Sequence, residues 1–338
     1  MKEHALQVLS CPDCRGALGL KAEQRDGDEV VSGSLECLKC RRVFRVEEGV
    51  PRFVNEREPD RTIRNFSAQW RLRSSGSFEN DDLLYGHDTL SLTRWLFRNC
   101  LGEVAAGEWM LDAGCGSGEK AAQAAREHPS LQVIALDASE AVAHCARRWA
   151  HLANLLFVQA DVRRPPLREA AFAKVLSWGV LHHTTSTRGS FETLSRLVSP
   201  GGRMAVWLYP HPAEDGLFAK YYWVRDSHFL GRGHRLPPRL RFWLVLLYCA
   251  LTFPLLLIVC SYEASRRYAG KDYMRLNELP LALKFKTLAF ILYDNISPEY
   301  QHRHRREEVL GWFGACGFVG CSTDALGHYW GELSRGAS

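Results

Sequence analysis

The sequence predicts an α/β fold, a parallel sheet wound with helices and preceded by a small unit stapled by a metal. Three observations carry this. Between residues 106 and 210 short apolar runs alternate with helical patterns, as crossover connections in a parallel sheet require. One of those runs, Trp109–Ala113, contains Asp112 and leads into Gly114-Cys115-Gly116-Ser117-Gly118, a glycine-rich turn that opens a helix. Near the chain start stand two C-x-x-C pairs, Cys11/Cys14 and Cys37/Cys40.

At 338 residues the chain can bury a substantial core and hold more than one structural unit. Its 43 basic and 38 acidic residues leave a formal charge of +5, too mild an excess to argue for nucleic acid. The start, Met1-Lys2-Glu3-His4, has no apolar run of signal-peptide type, so a cytoplasmic protein is expected. Four of the eleven cysteines form the two pairs and the rest are scattered, which suits a reducing compartment with one metal site.

Residues 1–55 read as a zinc ribbon. Two C-x-x-C knuckles can place four thiolates at the corners of a tetrahedron and so close off a structural Zn²⁺. Strand-like pieces, Leu18–Lys21 and Glu29–Ser32, fill the gap between them. A unit this small has too little core to fold alone, so the metal supplies much of its stability. Residues 56–105 read as a linker with lid helices, containing Phe66-Ser67-Ala68-Gln69-Trp70 and a helical pattern over Leu90–Leu101.

Residues 106–210 read as the cofactor-binding core. Strands are expected at Trp109–Ala113, Gln132–Leu136, Leu155–Gln159, Ala173–Trp178 and Met204–Tyr209. Ser139 is expected to cap a helix whose face is Val142, Cys145 and Trp149, and a later helix to bury Phe191, Leu194 and Val198. A dinucleotide turn has the spacing G-x-G-x-x-G, with pyrophosphate on the helix N-terminus. Here the spacing is G-x-G-x-G, and Asp112 would repel a pyrophosphate but attract an ammonium. S-adenosylmethionine (SAM) has an ammonium, a sulfonium and no phosphate. Asp137, at the tip of the second strand and about 20 residues beyond the turn, can accept both ribose hydroxyls.

The stretch from Asp112 through Gly202 resembles the class I, Rossmann-like SAM-dependent methyltransferases, of the small-molecule kind called type 11. The first 55 residues resemble the small zinc-ribbon domain that activates tRNA and protein methyltransferases and is fused ahead of many bacterial ones. The resemblance implies a seven-stranded sheet and a cofactor site of Asp112, Gly114, Cys115, Gly116, Gly118, Asp137, Ala138, Asp161, Val162 and Trp178. In it Asp161 meets the adenine amino group, and the F-x-x-Q-W segment lies over the cofactor. The segment Val180-Leu181-His182-His183-Thr184 resembles that of small-molecule and lipid-quinone methyltransferases. Where such enzymes often carry an acid soon after the histidines, Thr185-Ser186-Thr187 stands here, so no carboxylate role carries over.

Residues 211–304 read as a helical, apolar insertion between strands five and six. It begins with Phe218, Tyr221, Tyr222 and Trp223, and then runs uncharged from Phe242 to Cys260 between flanking arginines. Nineteen residues could span a bilayer by length. However, strand five precedes the run and the closing strands follow it, and all belong to one sheet, so one crossing is excluded. A substrate cap, a homodimer interface and a monotopic membrane contact remain, the last making the protein membrane-associated. The insertion ends on Tyr293-Asp294-Asn295-Ile296-Ser297-Pro298-Glu299-Tyr300, then Gln301-His302-Arg303-His304, similar to a segment at the active-site edge of the fused family. His183, His304 and Tyr293 are therefore candidate bases, and His182, Tyr209, Asp294 and Tyr300 candidate substrate-side groups. Residues 305–338 should supply a last helix and the closing strand pair around a turn at Gly327.

The expected activity is methyl transfer from SAM to a small, apolar or lipid-linked acceptor. Methylation of RNA bases, another SAM reaction and a silent binding module are the alternatives. The first is disfavoured by the apolar insertion.

Overall fold

The computed structural model describes residues 1–54, 61–78, 82–211 and 233–336. The aromatic cluster Phe218, Tyr221, Tyr222 and Trp223 lies outside the described residues. The N-terminal unit is a meander of β1 (Leu18–Asp26), β2 (Glu29–Cys37), β3 (Val43–Glu47) and β4 (Val50–Arg52). Helix α1 (Arg61–Ser74) follows, then the short ribbon β5 (Leu83–Leu84) and β6 (His87–Asp88), and α2 (Thr89–Leu96). The core alternates β7 (Trp109–Ala113), α3 (Glu119–Glu127), β8 (Gln132–Asp137), α4 (Ala141–Arg148), β9 (Leu155–Gln159), β10 (Phe172–Trp178), α5 (Thr187–Ser195) and β11 (Val198–Trp207). Among the described residues of the insertion stand helices α6 (Pro238–Arg267) and α7 (Leu281–Ile296), and α8 (Arg306–Ala315), β12 (Phe318–Thr323) and β13 (His328–Leu333) follow.

The core sheet has the order β9-β8-β7-β10-β11-β13-β12 and contains the expected seven strands. Pairing is parallel from β9 through β11, and β13 runs antiparallel to both neighbours. Central parallel strands are covered on both faces, and β7 accordingly buries every residue from Met110 to Ala113. Helix α3 packs closely because its inner face is alanine, at 121, 122, 124 and 125.

The ribbon's sheet does not end at the core. Strand β4 pairs in parallel with β9 at Arg52 and Gln159, and the Phe53 amide donates to the Gln159 carbonyl at 2.8 Å, making one eleven-stranded sheet. A single hydrophobic cluster joins Val8, Leu9, Leu35 and Val46 of the ribbon to Leu111, Ile134 and Val158 of the core.

Several local expectations shift. Ser139 does not cap α4: its hydroxyl is buried without a partner among the described residues, and its amide donates instead to Asp137 Oδ1 at 2.8 Å. The strand tip therefore captures the donor, and Glu140 takes the cap position. Val198 starts β11 rather than ending α5, because Leu197 turns the chain back through its carbonyl to Phe172. The helical pattern over Leu90–Leu101 splits after Leu96 into a wider turn, Phe97–Leu101, ended by Gly102 at φ 72°. The ribbon strands run longer than the expected pieces, since β1 and β2 pair with each other along their whole length and β3 pairs with the far half of β2.

Candidate functional site

The carboxyl ends of β7, β8, β9 and β10 open on one edge of the sheet, the edge at which open α/β sheets bind ligands. There the turn after β7, the tips of β8 and β9, α1, the Tyr85 hairpin and the segment after α7 enclose a cavity.

The turn is built on three left-handed glycines, Gly114 (φ 83°), Gly116 (57°) and Gly118 (79°). A Cβ at these positions would sit 2.3 Å from Val180, 2.5 Å from Trp70 and 2.8 Å from Phe157 respectively. Thus the missing side chains make room for neighbours within the fold as well as for a ligand. Gly114, Cys115 and Gly116 line the cavity, whereas Gly118 faces Phe157 and caps α3.

Asp137 lines the cavity at the tip of β8, its Oδ2 accepting from the Gly116 amide at 2.8 Å. Ala138, Asp161, Val162 and Trp178 line it too. The Asp161 carboxylate is held by Arg163, at 2.6–3.0 Å through three guanidinium contacts. Asp112 lies beneath the turn, fully buried and outside the cavity wall. Neither of its carboxylate oxygens has a hydrogen-bond partner among the described residues. Burial pushes its carboxyl up to about 6, against the pull of the neighbouring Lys120 ammonium.

Four substrate-side or basic candidates meet in this cavity: His183, Tyr209, Asp294 and Tyr300. His183 Nδ1 lies 2.9 Å from the Tyr300 carbonyl, and its ring packs on Phe66. A carbonyl only accepts, so Nδ1 carries the proton and Nε2 is the basic nitrogen. Asp294 is the hub of the polar groups. Its Oδ1 accepts from Gln69 Nε2 at 2.7 Å and from the Tyr85 hydroxyl at 3.0 Å, and its Oδ2 from the Tyr209 hydroxyl at 3.2 Å. A carboxylate thus reaches the site from the insertion rather than from the V-L-H-H segment.

The fold does not bring the other three candidates to the cavity wall. His182 is fully buried beside it, stacked on Tyr209 at 3.9 Å, and burial holds its imidazole well below the usual range. His304 points its Nδ1 at Glu308, 3.2 Å away, and its ring at Trp312. Tyr293 is turned toward α6, its hydroxyl donating to the Pro238 carbonyl at 3.5 Å and its ring beneath Arg241.

Two further residues of the site are Tyr85 and Gln69. Gln69 lies within the F-x-x-Q-W segment, where the aromatics draw the eye. Tyr85 (φ 55°) and Gly86 (φ 75°) form a two-residue hairpin turn of the type that demands positive φ at both positions. The Tyr-Gly pair was the available signal. A tyrosine there is strained, and its ring stacks on Phe290 at 4.9 Å while its hydroxyl holds Asp294.

In the ribbon the four sulfurs of Cys11, Cys14, Cys37 and Cys40 all lie within 4.8 Å of one another. The pairs Cys11–Cys40 and Cys14–Cys37 stand 3.7 and 3.4 Å apart. Tetrahedral Zn²⁺ with Zn–S bonds of about 2.3 Å sets sulfurs roughly 3.8 Å apart, so the donor set fits. The Cys40 amide donates to Cys37 Sγ at 3.4 Å, and a Cβ at Gly16 would fall 3.0 Å from that sulfur.

Comparison with known proteins agrees with this geometry. Residues 110–202 match the family described as Methyltransferase domain, and residues 2–49 match that described as Trm112p-like protein. An uncharacterised methyltransferase of Mycobacterium tuberculosis is 35% identical over 116 residues, 34% of this chain and 58% of that protein. The 27-O-demethylrifamycin SV methyltransferase of Amycolatopsis mediterranei is 33% identical over 137 residues, 38% of this chain and 48% of its own. The demethylmenaquinone methyltransferase of Thermus thermophilus is 30% identical over 127 residues, 36% of this chain and 57% of its own. The chain spans about half the length of the curated relatives it matches. Residues 110–202 are therefore a methyltransferase domain of Rossmann-like fold, preceded in the same chain by a Trm112p-like domain.

Proposed function

We propose that the protein transfers a methyl group from SAM to a small-molecule acceptor, apolar or lipid-linked. The observation that carries this reading is that His183, Tyr209, Asp294 and Tyr300 share one cavity with the glycine turn, Asp137 and Asp161. The residues present fit the cofactor. Asp137 offers carboxylate acceptors to ribose hydroxyls, and the buried, unpartnered Asp112 supplies negative charge beneath the turn for an ammonium. Asp161 and Val162 stand where the resemblance expects adenine, and Trp70, Trp178 and Phe66 offer aromatic faces to a cation. When bound, the cofactor supplies a methyl group already activated by the sulfonium.

The protein's part is then to position the acceptor and exclude water. The Tyr300 carbonyl fixes the His183 tautomer, so that Nε2 can take a proton from an acceptor hydroxyl or amine. Asp294, held by Gln69, Tyr85 and Tyr209, orients polar groups of the acceptor in a cavity whose wall includes the rings of Phe66, Trp178 and Trp207. The names of two relatives, a demethylrifamycin and a demethylmenaquinone methyltransferase, support a small-molecule acceptor. Four thiolates with the spacing of a closed site support a structural Zn²⁺ in the ribbon.

Calorimetric titration with S-adenosylhomocysteine tests the cofactor reading. Wild type should bind at micromolar concentration, and Asp137→Ala should weaken binding by about a hundredfold, the worth of two charge-assisted hydrogen bonds. Equal binding by both proteins would remove Asp137 from the site, and no binding by folded wild type would sink the reading.

A further inference from the structure

Helix α6 departs from the usual pattern of a surface helix, being apolar on its outward face as well as its inward one. Trp243, Leu247, Leu251, Leu255, Ile258 and Tyr262 recur every three or four residues and therefore lie on one stripe. That stripe faces outward, with Trp243 66%, Leu251 75% and Ile258 68% exposed. By length and composition the helix could cross a bilayer, but its fastenings prevent that. Near its start, Arg241 is fully buried and donates to Asn65 Oδ1 of α1 at 3.0 Å. In the middle, Phe253 packs edge-on against Phe285 of α7. Near its end, Asn277 donates to the Ser261 carbonyl and to Ser265 Oγ, and Tyr268 packs on His87. A helix about 45 Å long that is fastened along its length to one body lies flat on that body.

The charges say what meets it. Within α6 the one acid, Glu263, is buried and paired with Arg266 at 2.8 Å, whereas Arg239 stands near one end of the stripe and Arg266 and Arg267 near the other. A second copy of the chain is a poor occupant. Parallel pairing of two such helices would bring the two exposed Arg239 side chains together, and antiparallel pairing offers Arg239 no acid, since the one acid of α6, Glu263, is buried and already paired with Arg266. One leaflet of an anionic bilayer suits α6: acyl chains take the outward apolar stripe, Trp243, Tyr248 and Tyr262 on the exposed side are residues that favour the membrane interface, and the exposed Arg239 reaches anionic headgroups.

We infer that α6 is a monotopic anchor that lays its outer face into one leaflet of an anionic lipid bilayer. This attachment to the membrane surface goes beyond methyl transfer and does not depend on it.

Flotation of the full-length protein tests the inference, using vesicles of phosphatidylcholine alone and with one-third phosphatidylglycerol. The wild type should float with the anionic vesicles. Leu251→Glu combined with Leu255→Glu, and separately Arg239→Glu, should each lower the bound fraction by about tenfold. Thermal midpoints should match wild type, because all three side chains are exposed. Failure of wild type to float, flotation indifferent to both variants, or a dimer in light scattering that the double variant dissolves without any vesicle binding would each overturn it.

Discussion

His182 shows what burial does to a single titratable residue. Its ring is fully buried, stacked on Tyr209, and neither nitrogen has a hydrogen-bond partner among the described residues. Desolvation first, then the neighbouring His183 and Arg303, hold it neutral far below its ordinary range. An unfolded chain binds this proton below about pH 6.5, and the folded chain does not. Stability should therefore fall as pH drops through 6.5, by up to about 1.4 kcal/mol per pH unit from this residue alone. His87, pushed down to about 3 by burial, adds in the same direction over the same window. His182→Phe should flatten the dependence and stabilise the protein at pH 5.5 relative to wild type. Urea unfolding at pH 7.5 and 5.5 measures it, and an unchanged slope would show that the ring is protonated in the fold.

The element that most directly shapes the site is α1, which covers the glycine turn. Its attachment is an ion pair buried on both sides, Arg73 Nη1 to Glu119 Oε1 at 2.6 Å, with side chains 2% and 3% exposed. A second guanidinium nitrogen of Arg73 donates to the Leu83 carbonyl at 2.7 Å. Burial raises the Glu119 carboxyl, but Arg73 and the Ser117 hydroxyl more than offset this and leave it below its usual range. Removing Arg73 leaves the buried Glu119 carboxylate only the longer contact with Arg148 at 3.6 Å. Arg73→Ala should cost about 3–5 kcal/mol, and Arg73→Met with Glu119→Met less than the sum of the two single changes. Denaturant unfolding of the four proteins checks this, and full additivity would show that the pair is not coupled. S-adenosylhomocysteine binding should weaken with Arg73→Ala, because Phe66 and Trp70 line the cavity from the same helix.

At the scale of the molecule, ribbon and core share a sheet and a core, so they should unfold together. Beyond the β4–β9 pairing, Arg15 donates to the Pro165 carbonyl at 2.9 Å, the Arg168 amide donates to the Val8 carbonyl, and Asp13 pairs with Arg164. These contacts fall just after Asp161 and Val162 of the cavity wall. Chelation of the zinc proposed for the four thiolates should therefore lower a single thermal transition by several degrees. It should also weaken S-adenosylhomocysteine binding in the cavity. Calorimetry with and without chelator decides it: a separate early transition, with the main one unmoved, would make the ribbon an independent module.

The sequence by itself determined the parts that rest on local pattern. Strands β7 and β9 begin and end where their apolar runs do, the core has its seven strands, and the four cysteines converge, because strand periodicity, glycine conformation and ligand spacing act over a few residues. What only the tertiary structure decided depends on residues far apart in the chain. It joined the ribbon to β9 through backbone hydrogen bonds that no side-chain pattern announces. It sent Ser139 to Asp137 rather than to a helix cap, because the nearer acceptor won. It sorted the polar side chains of one sequence region, bringing Asp294 and Tyr300 to the cavity and turning Tyr293 and His304 away. Neighbours on a helix or in an extended segment point in different directions, and which of them faces the cavity is set by what packs behind it: Arg241 behind Tyr293, Trp312 and Glu308 behind His304. The outward face of α6 was likewise undecidable from composition, since an apolar helix reads the same whether protein or lipid covers it.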